Sequence, residues 1–352
     1  MMRNHQKVYI IILNWNGLKD TLECLESVYK LDYPNFEAIV VDNASLDNSI
    51  DVISNLYPNT ILIKNSENLG FTGGNNVAMR YAMERDADYM WLLNNDTVVE
   101  TDTLSKLVEL SESSNNIGLV SPIIFYFDAP SKVQSSGRYF HWETFTTIDS
   151  CSAKDVDKIF QSGNRVCLWG TALLIKRNVV EKIGFLKEEY FAYWEDTEYS
   201  LRAIGNGFQN RICNSSKIFH KYPSNPSEWD SNKRPFFTYF MRRNKILMGN
   251  DHIKSFPKRL GFKIKTLADL SNDLRHCDPK KRDVCFDAVW HGLHRISGPW
   301  KNDVHMPILY KKILLILSHC YPIFLSDLLR LDFGEVFRKI KKKLILIGTL
   351  FH

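Results

Sequence analysis

A short run that is apolar on both faces, Val8 to Leu13 (VYIIIL), most constrains how this chain can fold. An Asn14-Trp15-Asn16-Gly17 turn and a helical pattern carrying Leu18, Leu22, Leu25 and Val28 follow it. A strand without polar alternation must be covered on both sides, and crossover helices cover both faces of a parallel sheet. The cycle then repeats: strand Phe36 to Val41, helix Ser45 to Leu56, strand Thr60 to Lys64, helix Gly74 to Arg85, strand Tyr89 to Leu93. The pattern predicts a doubly wound α/β beginning, in which ligands bind beyond the carboxyl ends of the strands. The polar residues just after each strand are the first candidates: Asn14, Asp42 with Asn43, Asn65, and Asn94 to Asp96.

Ile117 to Asp149 reads as β-like and aromatic, Lys154 to Asn164 as a polar loop, and Leu173 to Lys176 as a further strand. After about Pro257 the pattern turns helical and basic. A boundary is therefore expected near residue 250, dividing a domain over 1–250 (halves 1–116 and 117–250) from a helical region over 251–352. With 44% hydrophobic and 24% charged residues the composition is that of a globular protein. A net charge of +5 without clustering argues against a nucleic-acid partner. The seven cysteines are scattered and contain no C-x-x-C pair, which fits reduced thiols in the cytoplasm. The N-terminal apolar run is too short for a signal peptide, and no stretch of about 18 apolar residues marks a membrane span. Membrane contact is expected to be peripheral, on the inner face, through Ile308 to Leu317 and Lys339 to Phe351 with its neighbours Lys341, Lys342 and Lys343. A helical subdomain or a dimer contact is the competing reading of that region, and oligomeric state stays open.

Asp96 follows the strand residues WLL through Asn94 and Asn95, which puts a carboxylate where Mg²⁺ or Mn²⁺ could bridge protein and phosphate oxygens; a solvated turn aspartate is the alternative. Asp42 ends AIVVD and suits a hydrogen bond to a ribose or base, or belongs to a pattern that caps the next helix through Ser45 or Asp47. Asn68 to Asn76 (NLGFTGGNN) is Gly-rich and opens a helix, so it is read as a phosphate cradle or a plain turn. It contains no G-x-G-x-x-G, and the chain has no P-loop, which weakens NAD and nucleoside-triphosphatase readings. Tyr193 to Arg202 joins aromatic residues to Glu195, Asp196 and Glu198; helical spacing aligns Glu195, Glu198 and Arg202, and one carboxylate at the helix start suits proton abstraction. His220 could complete a metal shell, and Arg242 and Arg243 could neutralise phosphates. Cys277, Cys285, His291 and His294 fit no standard zinc spacing.

Taken in order, ILNWNG, VVDNAS, NLGFTGGNN, LLNNDT, WGTALLIKR, YFAYWEDTEYSLR, HKYPSNPSE and MRRN resemble the inverting family 2 glycosyltransferases, especially their rhamnosyltransferase-like branch, over about residues 7 to 248. The resemblance implies a GT-A fold, a mixed Rossmann-like sheet flanked by helices with a helical C-terminal extension. It further implies that Asp42 binds the base or ribose, Asp96 the metal-diphosphate, with His220 as a second metal ligand and Asp196, beside Glu195, as general base. The nucleotide-sugar site implied comprises Asn14, Asn16, Asp42, Asn43, Asn68, Gly70, Asn76, Asn94, Asn95, Arg242 and Arg243. Trp169, Gly170 and Thr171 with the wall from Phe191 through Tyr193 to Trp194 are assigned to the acceptor by position. The departure is LLNNDT, where Asn94 replaces the first carboxylate of the D-x-D found in many relatives, leaving one fewer charge for Mn²⁺ or Mg²⁺. A dTDP- or UDP-sugar donor and a glycan or lipid-linked acceptor, in polysaccharide synthesis, are the implied partners. A sugar nucleotidyltransferase would need a basic Gly-rich loop where this chain has NWNG; a non-catalytic sugar-nucleotide or glycan binder is the other alternative.

Overall fold

The computed structural model describes residues 5–141, 146–151, 166–225, 234–256, 258–259, 262, 266, 269–270, 279–300 and 303–315. Strands β1 (Val8–Asn14), β2 (Phe36–Asp42), β3 (Ile61–Lys64) and β4 (Tyr89–Asn94) form where the apolar runs predict and pair in parallel in the order β3-β2-β1-β4. Alternate residues of β1 feed two cores. Val8, Ile10 and Ile12 pack with Cys24, Leu25 and Val28 of helix α1 (Leu18–Val28). Tyr9 and Ile11 pack with Ala78, Met79 and Ala82 of helix α3 (Gly70–Met83). Each fully buried Val or Ile contributes roughly 1.5–3 kcal/mol, so β1 anchors both layers.

Beyond β4 the sheet stops being parallel. Strand β11 (Ala172–Lys176) pairs antiparallel with β4 and with β6 (Ile117–Tyr126). Strand β12 (Gln209–His220) runs parallel to β6 across two register shifts, and β5 (Thr97–Val99) pairs antiparallel with the end of β12. The order β3-β2-β1-β4-β11-β6-β12-β5, with β7 (Val133–Ser135) also on β6, makes a mixed sheet. A separate small sheet holds β10 (Val166–Cys167), β8 (Arg138–His141) and β9 (Thr146–Asp149) in that order.

Two helix starts differ from expectation. Helix α2 begins at Ser49, not Ser45, because the Ser45 hydroxyl accepts from the Asn14 amide (3.1 Å) and the Asn16 N–H (2.9 Å) and so belongs to the turn. Helix α3 begins at Gly70, four residues earlier than expected. A Cβ at Gly74 would stand 2.4 Å from Leu13 Cδ1, so the glycine lets α3 lie close on β1.

The chain divides into two units: 1–231 with 297–299, and 232–296 with 300–352. The division expected near 250 falls within helix α7 (Arg234–His252), which belongs wholly to the second unit. That unit also contains helix α8 (Pro279–His294), and its apolar core includes Ile246, Cys285, Phe286, Val289 and Met306. His291 is not a metal ligand there, since its ring nitrogens face Tyr239 Oη and Val304 O. Residues 308–315 are helical. The expected loop over Lys154 to Asn164 and the basic stretch Lys339 to Phe351 lie outside the described residues, as does Cys277. Among the described residues no helix is long and apolar enough to cross a membrane.

Candidate active site

The register of the parallel strands aligns three polar ends. Asn14 stands opposite Asp42, and Leu13 opposite Asn94, at the point where the chain order reverses between β1 and β4. Asp42 is 1% exposed; its Oδ1 accepts from Asn14 Nδ2 (3.0 Å) and its Oδ2 from the Ser45 N–H (3.1 Å). Asn14 is itself fixed by Thr21, whose hydroxyl donates to Asn14 Oδ1 at 2.8 Å. Asn16, at φ 51°, accepts the Leu46 N–H on its side-chain oxygen. Between Asn14 and Asn16 sits Trp15, 56% exposed, an aromatic surface beside the Asp42 turn. The sequence signal for it is a tryptophan set among the polar residues of the NWNG turn at a strand end.

Several residues expected at the nucleotide-sugar instead spend their polar groups inside the fold. Asn43 Nδ2 donates to Asn68 Oδ1 and Gly70 O, while its Oδ1 accepts from Asn65 and from the Leu69 N–H. Asn76 is fully buried and clamps the 186–188 segment through Leu186 and Glu188. Two amides of the Gly-rich stretch are engaged within the protein: the Gly70 N–H goes to Asn68 Oδ1 and the Thr72 N–H to Phe191 O. Gly70, at φ 71°, is required by that contact, since a Cβ would lie 2.5 Å from Phe191 O.

Strand pairing brings Asp96 and His220 together, 124 positions apart in a sequence that gives no local sign of it. His220 pairs with Thr97 at the β12–β5 end, and the Lys221 N–H donates to Asp96 O. His220 Nε2 stands 3.2 Å from Asp96 Oδ1, yet that buried oxygen has no hydrogen bond of good geometry. On the far side of the ring, Nδ1 lies 2.9 Å from Gln134 Oε1, an amide oxygen that can only accept, so the proton belongs on Nδ1. The Nε2 lone pair then faces a carboxylate oxygen, an arrangement a cation between the two would resolve. Burial opposes the Asp96 charge, but a His220 protonated on both nitrogens, with the aspartate's own backbone amide and Lys221, would favour it and hold the carboxyl below the usual range, so the cation between the two can be a proton or a metal ion. An imidazole and a carboxylate suit Mn²⁺ or Mg²⁺, with the remaining positions left to water and substrate oxygens. Among the described residues no third ligating side chain joins them. Gln134 was not anticipated, because its position opposite His220 arises only from β7 and β12 both pairing with β6. Asn94 and Asn95 brace this corner: the Asn94 N–H donates to Thr171 O, and Asn95 Nδ2 to Thr21 Oγ1.

The third cluster opens helix α6 (Glu195–Gly205). Three of the four residues before it, the aromatic Phe191, Tyr193 and Trp194, have φ of 63°, 66° and 69°, a region costing of order 1–3 kcal/mol per bulky residue. Asp196 Oδ2 accepts the Gly170 N–H at 3.2 Å and Oδ1 accepts from the Thr197 N–H. Glu195 is buried with Oε2 lacking a partner among the described residues, and burial, reinforced by the Asp196 charge, pushes its carboxyl well above the usual range. Glu198 pairs with Arg202 (2.9 Å), so the expected Glu195–Glu198–Arg202 face is a Glu198–Arg202 pair with Glu195 apart from it. Trp169 and Thr171 flank Gly170, Trp194 is buried, and Tyr193 is 37% exposed. A folded-state pKa raised above the unfolded value means that folding loses stability as pH climbs past about 4.5, by about 1.4 kcal/mol per pH unit until the folded group ionises. Glu195→Gln removes that loss. Its melting temperature should exceed that of the wild type at pH 8 and converge with it near pH 4; equal offsets at both pH values would show that Glu195 is ionised in the fold.

Arg242 and Arg243 belong to the second unit. Arg243 is fully buried, donates to Asn244 Oδ1 and lies over the Tyr239 and Phe240 rings, whereas Arg242 lines a cleft of about 440 Å³ with Phe237, Met241, Lys245 and Asp269.

Residues 9–184 match the family described as Glycosyl transferase family 2. The low-salt glycan biosynthesis hexosyltransferase Agl10 of Haloferax volcanii is 23% identical, over 82% of this chain and 91% of its own. The dTDP-rhamnosyl transferase RfbF of Shigella flexneri is 21% identical, over 61% of this chain and 69% of its own. Among solved structures, the mannosyltransferase PcManGT from Pyrobaculum calidifontis, in complex with GDP-Man and Mn²⁺, shares the fold at TM-score 0.52 and 14% identity, covering 97% of this chain and 87% of that one.

Proposed function

The chain belongs to glycosyl transferase family 2 and has the GT-A fold, and on that premise we propose that it moves a hexose, with rhamnose the first candidate, from a dTDP- or UDP-linked donor to a hydroxyl of a glycan or lipid-linked acceptor. One observation carries the reading: a pair of hydrogen bonds donated by backbone N–H groups, Asn94 N–H to Thr171 O and Gly170 N–H to Asp196 Oδ2, ties the strand end that leads to Asp96 to the Asp196 carboxylate. A donor-side carboxylate with its histidine and an acceptor-side carboxylate are thus held on one frame.

In this reading Asp42 accepts from the ribose or the pyrimidine imide, and Trp15 offers its exposed ring to the base. Asp96 and His220 hold Mn²⁺ or Mg²⁺, which when bound supplies positive charge against the departing diphosphate. Asp196 Oδ2 takes the acceptor hydroxyl's proton as the new C–O bond forms and the anomeric C–O bond to the diphosphate breaks. The bonding pair leaves with the diphosphate, and a single displacement inverts the anomeric centre. Trp169 and the 191–194 segment supply aromatic surface for the acceptor sugar. The dTDP assignment draws support from the RfbF likeness. Membrane association at the cytoplasmic face remains part of the proposal for lipid-linked acceptors.

The test is a thermal-shift screen of dTDP, UDP and GDP, each with and without Mn²⁺. A ligand at a hundredfold excess over its Kd stabilises the native state by about 2.7 kcal/mol. A Mn²⁺-dependent rise with dTDP or UDP is expected; a rise with GDP alone, or with no diphosphate, would overturn the donor assignment.

A further inference from the structure

The small sheet contributes a residue that the mechanism above leaves unused. Strand pairing sets Arg138 of β8 opposite Asp149 of β9 and Cys167 of β10. Arg138 Nε donates to Asp149 Oδ1 at 2.7 Å, and Nη1 donates to Thr197 Oγ1 at 3.2 Å. The fully buried Thr197 hydroxyl in turn donates a hydrogen bond to Asp196 Oδ1 at 3.1 Å. Asp149 Oδ1 also accepts from Trp169 Nε1 at 3.1 Å, and the next residue in the chain, Gly170, donates its N–H to Asp196 Oδ2. Trp169, Asp149, Arg138, Thr197, Asp196 and Gly170 therefore form a closed ring, with the Arg138 guanidinium 5.3 Å from the Trp169 ring.

The direction of these bonds matters. Thr197 offers both its N–H and its hydroxyl to Oδ1, which occupies that oxygen, whereas among the described residues Oδ2 receives a single N–H and keeps a lone pair for a proton. A guanidinium can only donate, so its bond to Thr197 Oγ1 forces the hydroxyl hydrogen toward Asp196 rather than away. We propose that Arg138 is a positioning residue: acting through Thr197, it locks the Asp196 carboxylate so that Oδ2 takes the acceptor's proton, and acting through Asp149 it holds Trp169 in register with that oxygen. This rests on the reading of Asp196 as the general base.

The experiment compares Thr197→Val, Thr197→Ser, Arg138→Met and their double variant, alongside Asp196→Asn, reading kcat, acceptor KM, melting temperature and the nucleoside-diphosphate thermal shift. Misplacing a reacting group by about 1 Å costs about 100-fold, and that is the expected fall in kcat for Arg138→Met. Thr197→Val, which removes only the hydroxyl, should lower kcat with acceptor KM unchanged, and Thr197→Ser should restore it. Arg138→Met should also raise acceptor KM, because Trp169 loses its brace. In the double variant kcat should match that of Arg138→Met alone, since residues of one chain of bonds do not add. The diphosphate shift should persist throughout. The proposal is overturned if Thr197→Val keeps kcat within twofold, if the losses multiply, or if melting temperature falls while kcat per folded molecule stays constant. Retained transfer in Asp196→Asn would instead overturn the base assignment itself.

Discussion

Asp196→Asn should abolish sugar transfer while nucleoside-diphosphate binding persists. A positioned general base contributes about 10²–10⁴-fold to rate, and asparagine has the same shape but no basic oxygen to offer. The local geometry also sets what else changes. An asparagine oxygen facing Thr197 keeps both bonds there, which turns the new amide toward the Gly170 N–H, a donor facing a donor where the carboxylate accepted at 3.2 Å. One hydrogen bond is lost, worth about 1 kcal/mol net, so the melting temperature should drop only slightly. The measurement is acceptor-dependent release of nucleoside diphosphate, paired with the thermal shift of the free diphosphate. Activity within tenfold of wild type would remove Asp196 from the role of base, and loss of diphosphate binding would place it on the donor side.

The second large effect is expected at Asp96. Asp96→Asn keeps the side chain's shape opposite His220 but removes the charge that burial makes costly and that His220 and Lys221 stabilise. An amide placed 3.2 Å from Nε2 can donate to that lone pair directly, which satisfies the histidine without a cation. Mn²⁺ should then cease to enhance diphosphate binding, and kcat should fall by about 10²–10³-fold, the usual cost of deleting one group that stabilises developing charge. Titrating Mn²⁺ against the diphosphate thermal shift checks this. A metal response equal to that of the wild type would show that the cation binds elsewhere.

Local pattern carried the reading where one element sufficed. The runs at 8–13, 36–41 and 89–93 have no polar alternation, and each became a central parallel strand. The positions of Asp42 and Asp96 at the sheet's edge were legible because the first ends its strand and the second lies two residues beyond one. What stayed hidden depends on pairing between distant segments. The antiparallel entry of β11 beside β4, which turns a parallel sheet into a mixed one, leaves no periodic trace in ALLIK. Gln134 and Arg138 lie in a stretch that reads only as β-like, and they gain meaning from β7 meeting β6 and from β8 meeting β9. Ser45 was misread as a helix start because its hydroxyl serves a turn whose partners, Asn14 and Asn16, lie about thirty residues earlier. The Gly-rich stretch left two readings open for a related reason: two of its glycines, Gly70 and Gly74, admit neighbouring protein, Phe191 and Leu13, and those contacts join segments distant in sequence.

The Gly70–Phe191 contact also bears on how proteins with this architecture can diversify. Gly70 opens the helix that follows β3, and it touches the first of the aromatic residues of positive φ that lead into Asp196. The Thr72 N–H closes the same joint on Phe191 O. A lineage that rewrites the 186–196 segment must therefore keep a backbone at 191 that fits against an α3 start lacking a side chain. The half-exposed side chain of Tyr193 can drift, but the path of the main chain there is inherited together with the opening of α3.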